Sequence, residues 1–196
     1  MIRIGILGDI GSGKTFISRQ FGFPVFNADA EVLNIYKKNK VCFFKLKKKF
    51  PKHIVSFPIN KLEILKVILE KKSNINIVNK IVHPQIRLKM NQFIKKNKFK
   101  KMIILDIPLL LEAKINKKND FLIFIDAKPQ EIKKRLKKRI NFNSDIYKKL
   151  KKLQLPLEFK KKKSNFIIKN NFRSSTIKKN VKIIKDIILK YERNNS

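Results

Sequence analysis

Residues 8–15 read Gly8-Asp9-Ile10-Gly11-Ser12-Gly13-Lys14-Thr15, two glycines with four residues between them, then a lysine and a hydroxyl. Chemistry on a polyphosphate needs these residue types at this spacing, that of a P-loop. Gly8, Gly11 and Gly13 let the backbone turn sharply and come close to a ligand. Successive N–H groups from Gly11 through Ser12 to Phe16 can then converge on one anion. Lys14 is placed to reach the β- and γ-phosphates, and the Thr15 hydroxyl to ligate Mg²⁺. The Lys14 side chain is expected to face solvent, and the Asp9 carboxylate to point away from the phosphate-binding amides.

Other residues carry chemistry at a distance from this loop. Asp29 follows a short segment, Phe23-Pro24-Val25-Phe26-Asn27, that reads as a strand. It sits where a strand gives way to a helix, either facing a ligand or capping the helix. Arg135 and Arg139 stand four apart, so one face of a helix starting at Pro129 and reaching Arg139 would carry both. Arginine is scarce here, 7 residues against 42 lysines, and its planar fork binds phosphate oxygens in pairs. His83 precedes Pro84 and is either a ligand contact or a packed residue. Asp106 ends an apolar run and is the second candidate, after Asp29, for a general base.

These residues need a parallel sheet to hold them. Ile2–Leu7, Met102–Leu105 and Phe121–Ile125 are short, nearly continuous apolar runs, the pattern of strands buried on both faces. Phe23–Asn27 and Asn165–Lys169 supply two weaker ones. Helices are expected at Thr15–Phe21, from near Asp29 to about Lys38, and from Ser174 to about Tyr191. From Val41 to Lys98 the apolar spacing is helical with no clear strand, Pro58 suits a first turn, and a fresh helix is expected to open at Ile81. Asn141–Lys163 reads as basic and helical, its Lys160–Lys163 run a solvated face or part of a mobile lid. The expected class is α/β: parallel strands flanked by helices, with a helical insertion as a candidate subdomain and a lid. The core is drawn at 1–40, 99–139 and 164–196, the insertion at 41–98 and the lid at 139–163.

Composition narrows the setting. The 196 residues carry a formal charge of +35, which invites a nucleic-acid partner. Lysine, isoleucine and asparagine together make up 92 residues. That is the bias of an AT-rich coding sequence, so most of the charge reads as solvated helix faces. The single Cys42 excludes an internal disulfide and a cysteine-cluster zinc site. No apolar run approaches the roughly 18 residues of a membrane span, and the start of the chain does not read as a secretion signal. A cytoplasmic protein with no membrane and no specific nucleic-acid partner is expected; oligomeric state stays open.

The ordered motifs resemble the dephospho-coenzyme A kinase family over nearly the whole chain. Its members carry a Gly-Gly-Ile-Gly-Ser-Gly-Lys-Ser/Thr loop, matched by Gly8–Thr15, and Asp-Ala-Asp, matched by Asn27-Ala28-Asp29. His-Pro-x-Ile-Arg is matched in full by His83-Pro84-Gln85-Ile86-Arg87, and Pro-Leu-Leu-Phe-Glu by Pro108–Glu112. Arg-Leu-x-x-Arg appears as Arg135–Arg139, Gln-x-Pro as Gln154–Pro156 and Ile-x-Asn as Ile168–Asn170. The chain departs from the pattern at Leu7 (usually Thr), Asp9 (Gly), Asn27 (Asp), Ile132 (Gln), Ser164-Asn165 (Ala-Asp) and Asn171 (Gly).

The resemblance implies phosphoryl transfer from ATP, with Mg²⁺, to the ribose 3′-hydroxyl of dephospho-CoA, the last step of coenzyme A synthesis. It implies a nucleoside-monophosphate-kinase-like P-loop kinase fold, a parallel sheet of about five strands flanked by helices with a helical substrate-binding insertion and a lid. It implies Asp29 as base and substrate contact, with His83, Arg87, Pro108, Leu109 and Glu112 on the acceptor side. Lys14, Arg135 and Arg139 would neutralise phosphate charge, Lys14 and Arg139 as catalytic groups, and Asn170 would lie near the adenine. The rival readings are another small-molecule P-loop kinase, for nucleotides or shikimate, and a basic nucleic-acid-binding protein.

Overall fold

The computed structural model describes residues 1–71, 73–139 and 142–194. Ile140 and Asn141, at the start of the expected lid, lie outside the described residues. The chain divides into two compact units, one of Met1–Asn27, Asn97–Phe142 and Lys151–Ser196, the other of Ala28–Lys96 and Asn143–Leu150.

The first unit holds the sheet: β1 (Ile2–Gly8), β2 (Val25–Asn27), β3 (Met102–Asp106), β4 (Phe121–Ala127) and β5 (Phe166–Asn170). All pairings are parallel, in the order β2-β3-β1-β4-β5. Every residue of β1 and β3 is buried, which is why these strands read as nearly continuous apolar runs; the exception within β1, Arg3, is paired with Asp120 at 3.0 Å. Ile2, Ile4 and Ile6 of β1 join Ile17 and Phe21 of α1 (Lys14–Gln20 and its cap) in one core. Ile177, Val181, Ile184 and Ile188 of α9 (Ser174–Asn194) complete it. Burying an aliphatic side chain of this size contributes about 1.5–3 kcal/mol, and the long isoleucine stripe of α9 supplies several at once.

The second unit is helical among its described residues: α2 (Ala28–Lys38), α3 (Lys40–Lys49), α4 (Lys61–Glu70) and α5 (Asn74–Lys96). α5 is its spine, burying Ile75, Val78, Val82, Ile86 and Met90 at steps of three and four. It packs on α2, α3 and α4. The sequence reading grouped α2 with the sheet, but Ile35 and Tyr36 are buried and the helix packs on α5 and α3. α4 begins after Asn60, whose side chain and Glu63 form a reciprocal capping box, rather than at Pro58.

The expected helix start at Ile81 is not found: α5 runs through Pro84. An internal proline costs about 3 kcal/mol. Val78, Val82 and Ile86, buried on both sides of it, return more than that at about 1.5–3 kcal/mol each. Another difference lies in α6 (Pro129–Lys137), which caps at Lys138, so Arg139 sits beyond its end, its N–H donating to the Leu136 carbonyl (3.1 Å). The basic stretch after it forms two short helices, α7 (Ser144–Lys151) and α8 (Leu157–Lys162), broken ahead of Pro156. Lys149 donates to the carbonyls of Ile68 (2.9 Å) and Leu69 (3.3 Å) at the end of α4, where a cation complements the helix dipole. No helix is long and apolar enough to cross a membrane among the described residues.

Candidate active site

β1 delivers the glycine loop at its C-terminal end, and α1 carries the chain away. Gly13, with φ of 91°, occupies the cap of α1, and a Cβ there would lie 2.6 Å from the Asn170 amide nitrogen. At Gly8, φ is 144° and a Cβ would meet the Ile125 carbonyl oxygen at 2.9 Å. Both positions therefore need glycine for conformation and for room. Gly11 lies against Ile132 and Leu136 of α6, which explains an apolar residue at 132.

Lys14 does not face solvent. It is 9% exposed, and its Nζ donates to the carbonyls of Asp9 (2.7 Å) and Gly8 (3.2 Å). Asp9 is buried as well. Its Oδ1 accepts from the Ile10 N–H (2.7 Å), one residue before the expected phosphate-binding amides, and its Oδ2 lies 3.1 Å from Lys151 Nζ.

The Thr15 hydroxyl donates to Asp106 Oδ2 at 2.6 Å. The Asn27 amide donates to the same carboxylate oxygen and, at 3.3 Å, to the Thr15 hydroxyl. Register explains the meeting: Asn27 and Asp106 are paired partners at the ends of β2 and β3. Asp106 is 2% exposed. A hydroxyl and a buried carboxylate sharing one contact are hard oxygen donors. That chemistry fits Mg²⁺, which takes one or two protein oxygens and fills its octahedron with phosphate and water. Asp106 Oδ2 already accepts from two donors.

Asn170 braces the loop. Its Nδ2 donates to the Ser12 carbonyl (2.7 Å) and its Oδ1 accepts from the Phe172 N–H (2.7 Å), with the residue 5% exposed. Phe172 adopts φ of 60° and carries Arg135 over its ring, the guanidinium carbon 4.4 Å from the centroid. Arg135, Arg139 and Phe16 are exposed. Past β3, Pro108 and Leu109 are half-buried. Glu112 Oε1 accepts from the Leu155 N–H (2.9 Å) and lies 2.7 Å from Lys160 Nζ. Lys160 is fully buried, so this first member of the lysine run is an ion-pair partner and not part of a solvated face.

The remaining candidates belong to the helical unit. Asp29 is exposed in the first turn of α2, one residue past its start, so it is not the cap residue. His83 and Arg87 stand one turn apart on α5, with His83 half-buried and Arg87 exposed. Burial, and next the Arg87 charge, hold the His83 imidazole below its ordinary pKa.

Comparison with known proteins adds to this geometry. A family model described as dephospho-CoA kinase matches residues 2–176. A dephospho-CoA kinase from Wolbachia sp. subsp. Brugia malayi is 32% identical over 188 residues, covering 93% of this chain and 96% of that protein. The chain belongs to the dephospho-CoA kinase family. Another relative, from Bacillus thuringiensis, is 30% identical over 177 residues, 86% of this chain and 88% of that one. Among solved structures, a Thermus thermophilus protein superposes with a TM-score of 0.75 at 23% identity, covering 96% and 97% of the two chains. The dephospho-CoA kinase from Campylobacter jejuni gives 0.62 at 24%, covering 94% and 96%. These likenesses carry the fold. Dephospho-CoA kinases transfer a phosphate group, so the glycine loop here is that of a kinase.

Four residues of this family member escaped the sequence reading: Asp106 as partner of Thr15, Asn27 as partner of both, Lys151 on Asp9, and Lys160 on Glu112. Thr15 and Asp106 are 91 positions apart, so no local spacing announces them. Asp106 itself stood out as an acid ending an apolar strand, but as a base candidate and not as the partner of Thr15.

Proposed function

We propose that this chain transfers the γ-phosphoryl group of ATP to the ribose 3′-hydroxyl of dephospho-CoA, giving ADP and CoA. The observation that carries the reading is the Thr15–Asp106 contact beside the glycine loop, in a chain matching the family from residue 2 to 176. Backbone amides from Gly11 to Phe16 hold the phosphates, and the α1 N-terminus adds its positive end. Lys14, leaving the carbonyls of Gly8 and Asp9, follows the charge that spreads over the γ-phosphoryl oxygens. Arg139 and Arg135 add to that neutralisation, with Arg135 held on the Phe172 ring. Thr15 and Asp106 would hold Mg²⁺, which would supply charge neutralisation for the phosphates.

Asp29 accepts the proton of the 3′-hydroxyl. It lies two residues past Asn27, and its carboxylate is exposed at a helix start. A neutral His83, with Arg87, suits the acceptor's polar and phosphate groups, and Pro108 and Leu109 offer it a half-buried apolar edge. Glu112, tied to Leu155 and Lys160, shapes that edge from behind. Asn170 serves ATP by fixing the Ser12 carbonyl, hence the loop. The helical unit is the acceptor-binding domain, and the described residues 142–163 belong to the lid. A cytoplasmic setting belongs to the same reading, supported by a lone buried cysteine whose thiol burial pushes up to about 11.

The test is ADP release coupled to a reporter, with dephospho-CoA, AMP and shikimate as acceptors. Turnover confined to dephospho-CoA is the expected result. Preference for AMP or shikimate would replace the acceptor while keeping the phosphate site.

A further inference from the structure

The phosphate loop of this chain contains a carboxylate, which a loop built for anions would not be expected to tolerate. Asp9 is 7% exposed, one residue past the end of β1, and its side chain cannot be left to water. Oδ1 takes the Ile10 N–H and Oδ2 takes Lys151 Nζ at 3.1 Å. The Asp9 main-chain carbonyl is used separately, by Lys14 Nζ and the Ser12 N–H (3.2 Å). Lys14 therefore bonds the backbone of Asp9, while the charge of its carboxylate is met by Lys151.

We propose that Lys151 is the resident counter-charge of Asp9 and, through it, a positioning residue that sets how tightly the glycine loop holds a polyphosphate. The proposal rests on the reading of this loop as an ATP site. The pair is asymmetric: the Asp9 side chain is 10% exposed and that of Lys151 48%. An ion pair with so exposed a partner adds little to folding. The consequence falls on the ligand instead. Without Lys151, the Asp9 carboxylate loses the cation paired with it, in the loop that must receive several phosphate charges, and repulsion in a partly desolvated site is strong. With Lys151 present, that acidic position is neutral to an incoming polyphosphate, while Oδ1 still fixes the turn at Ile10.

Calorimetric titration of Mg-ATP and Mg-ADP into the full chain at low ionic strength tests this. Lys151→Ala is expected to weaken ATP binding by about tenfold, and ADP, with one fewer phosphate charge, by less. The melting temperature should move little. Lys151→Arg should bind like wild type. Asp9→Asn keeps the acceptor for Ile10 and removes the charge, so Asp9→Asn/Lys151→Ala should bind ATP within about twofold of Asp9→Asn alone. Unchanged binding by Lys151→Ala overturns the proposal. A loss that persists in the double variant also overturns it, because Lys151 would then act on the phosphates directly. The readout needs no acceptor, so it succeeds or fails separately from turnover on dephospho-CoA.

Discussion

The two units of this chain prepare for chemistry in different ways. In the sheet unit, the polar groups around the glycine loop are fixed by partners within that unit. Lys14 lies on two carbonyls, Thr15 and Asn27 on Asp106, Asn170 on Ser12 and Phe172, and Asp9 on Lys151. In the helical unit, the candidate acceptor groups Asp29 and Arg87 are exposed side chains on helices, and His83 is half-buried. On the proposed function, the phosphate end would be preorganised by backbone and buried polar ties, which suits a charge that moves little. The acceptor end would place side chains on a helical frame built for packing, where what is recognised can vary without disturbing the loop. Damage to the first unit should therefore be large and cooperative, and damage to the second more local.

The largest effect is expected from Lys14→Ala. Losing the cation on the phosphates should lower turnover at least a hundredfold, the scale of one preorganised charge-stabilising group. Because the ammonium is buried on two carbonyls, the variant should also melt somewhat lower. Turnover above a tenth of wild type would break the view that the loop is the catalytic end.

Asp29→Asn comes next and probes the helical unit. It keeps shape while removing basicity, so kcat should fall by roughly 10²-fold. ATP affinity and melting temperature should hold, since Asp29 is not the α2 cap. A normal kcat with a lower melting temperature would make Asp29 a first-turn structural acid.

Asn170→Ala sharpens the contrast from the other side. It leaves the Ser12 carbonyl and the Phe172 N–H without partners in a buried place, a loss of about 1–3 kcal/mol. The expected result is a lower melting temperature together with a raised KM for ATP and a kcat close to wild type. A kcat loss with KM intact would mean that Asn170 meets the reacting groups instead of bracing the loop.

What sequence could reveal follows the same division. The glycine loop was legible because backbone chemistry constrains residue type locally, and β1, β3 and β4 because burial on both faces leaves apolar runs. The contacts of Asp106, Lys151 and Lys160 were not legible, since each depends on a partner far along the chain. Lys160 was further hidden among three neighbouring lysines. Arg139 was misplaced on a helix because no sequence signal marks the cap at Lys138. Pro84 suggested a helix start that the apolar stripe of α5 overrides. His83, Arg87, Pro108, Leu109 and Glu112 drew their acceptor-side roles from family resemblance, not from any spacing that physics alone would single out.

The smallest expected effect concerns His83. Burial is the larger cause of its lowered pKa and the Arg87 charge the second, so the two can be separated. Arg87→Gln removes the charge one turn away and leaves the packing of α5 in place. The imidazole should then titrate higher than in wild type, yet stay below the ordinary histidine value of about 6.5, because burial remains. Proton resonances of the imidazole followed across pH measure this directly. Stability gives a second reading. A histidine whose folded pKa is depressed binds fewer protons than in the unfolded chain, so its contribution is complete above the ordinary value and is lost as pH falls through the ordinary value toward the folded one. The acid-side loss should be shallower in Arg87→Gln than in wild type. A full return of the pKa to the ordinary value would make Arg87 the dominant cause and His83 a solvated group. It would then respond to charge alone, as a surface residue does, and the packed helical frame would have no part in keeping it neutral for the acceptor.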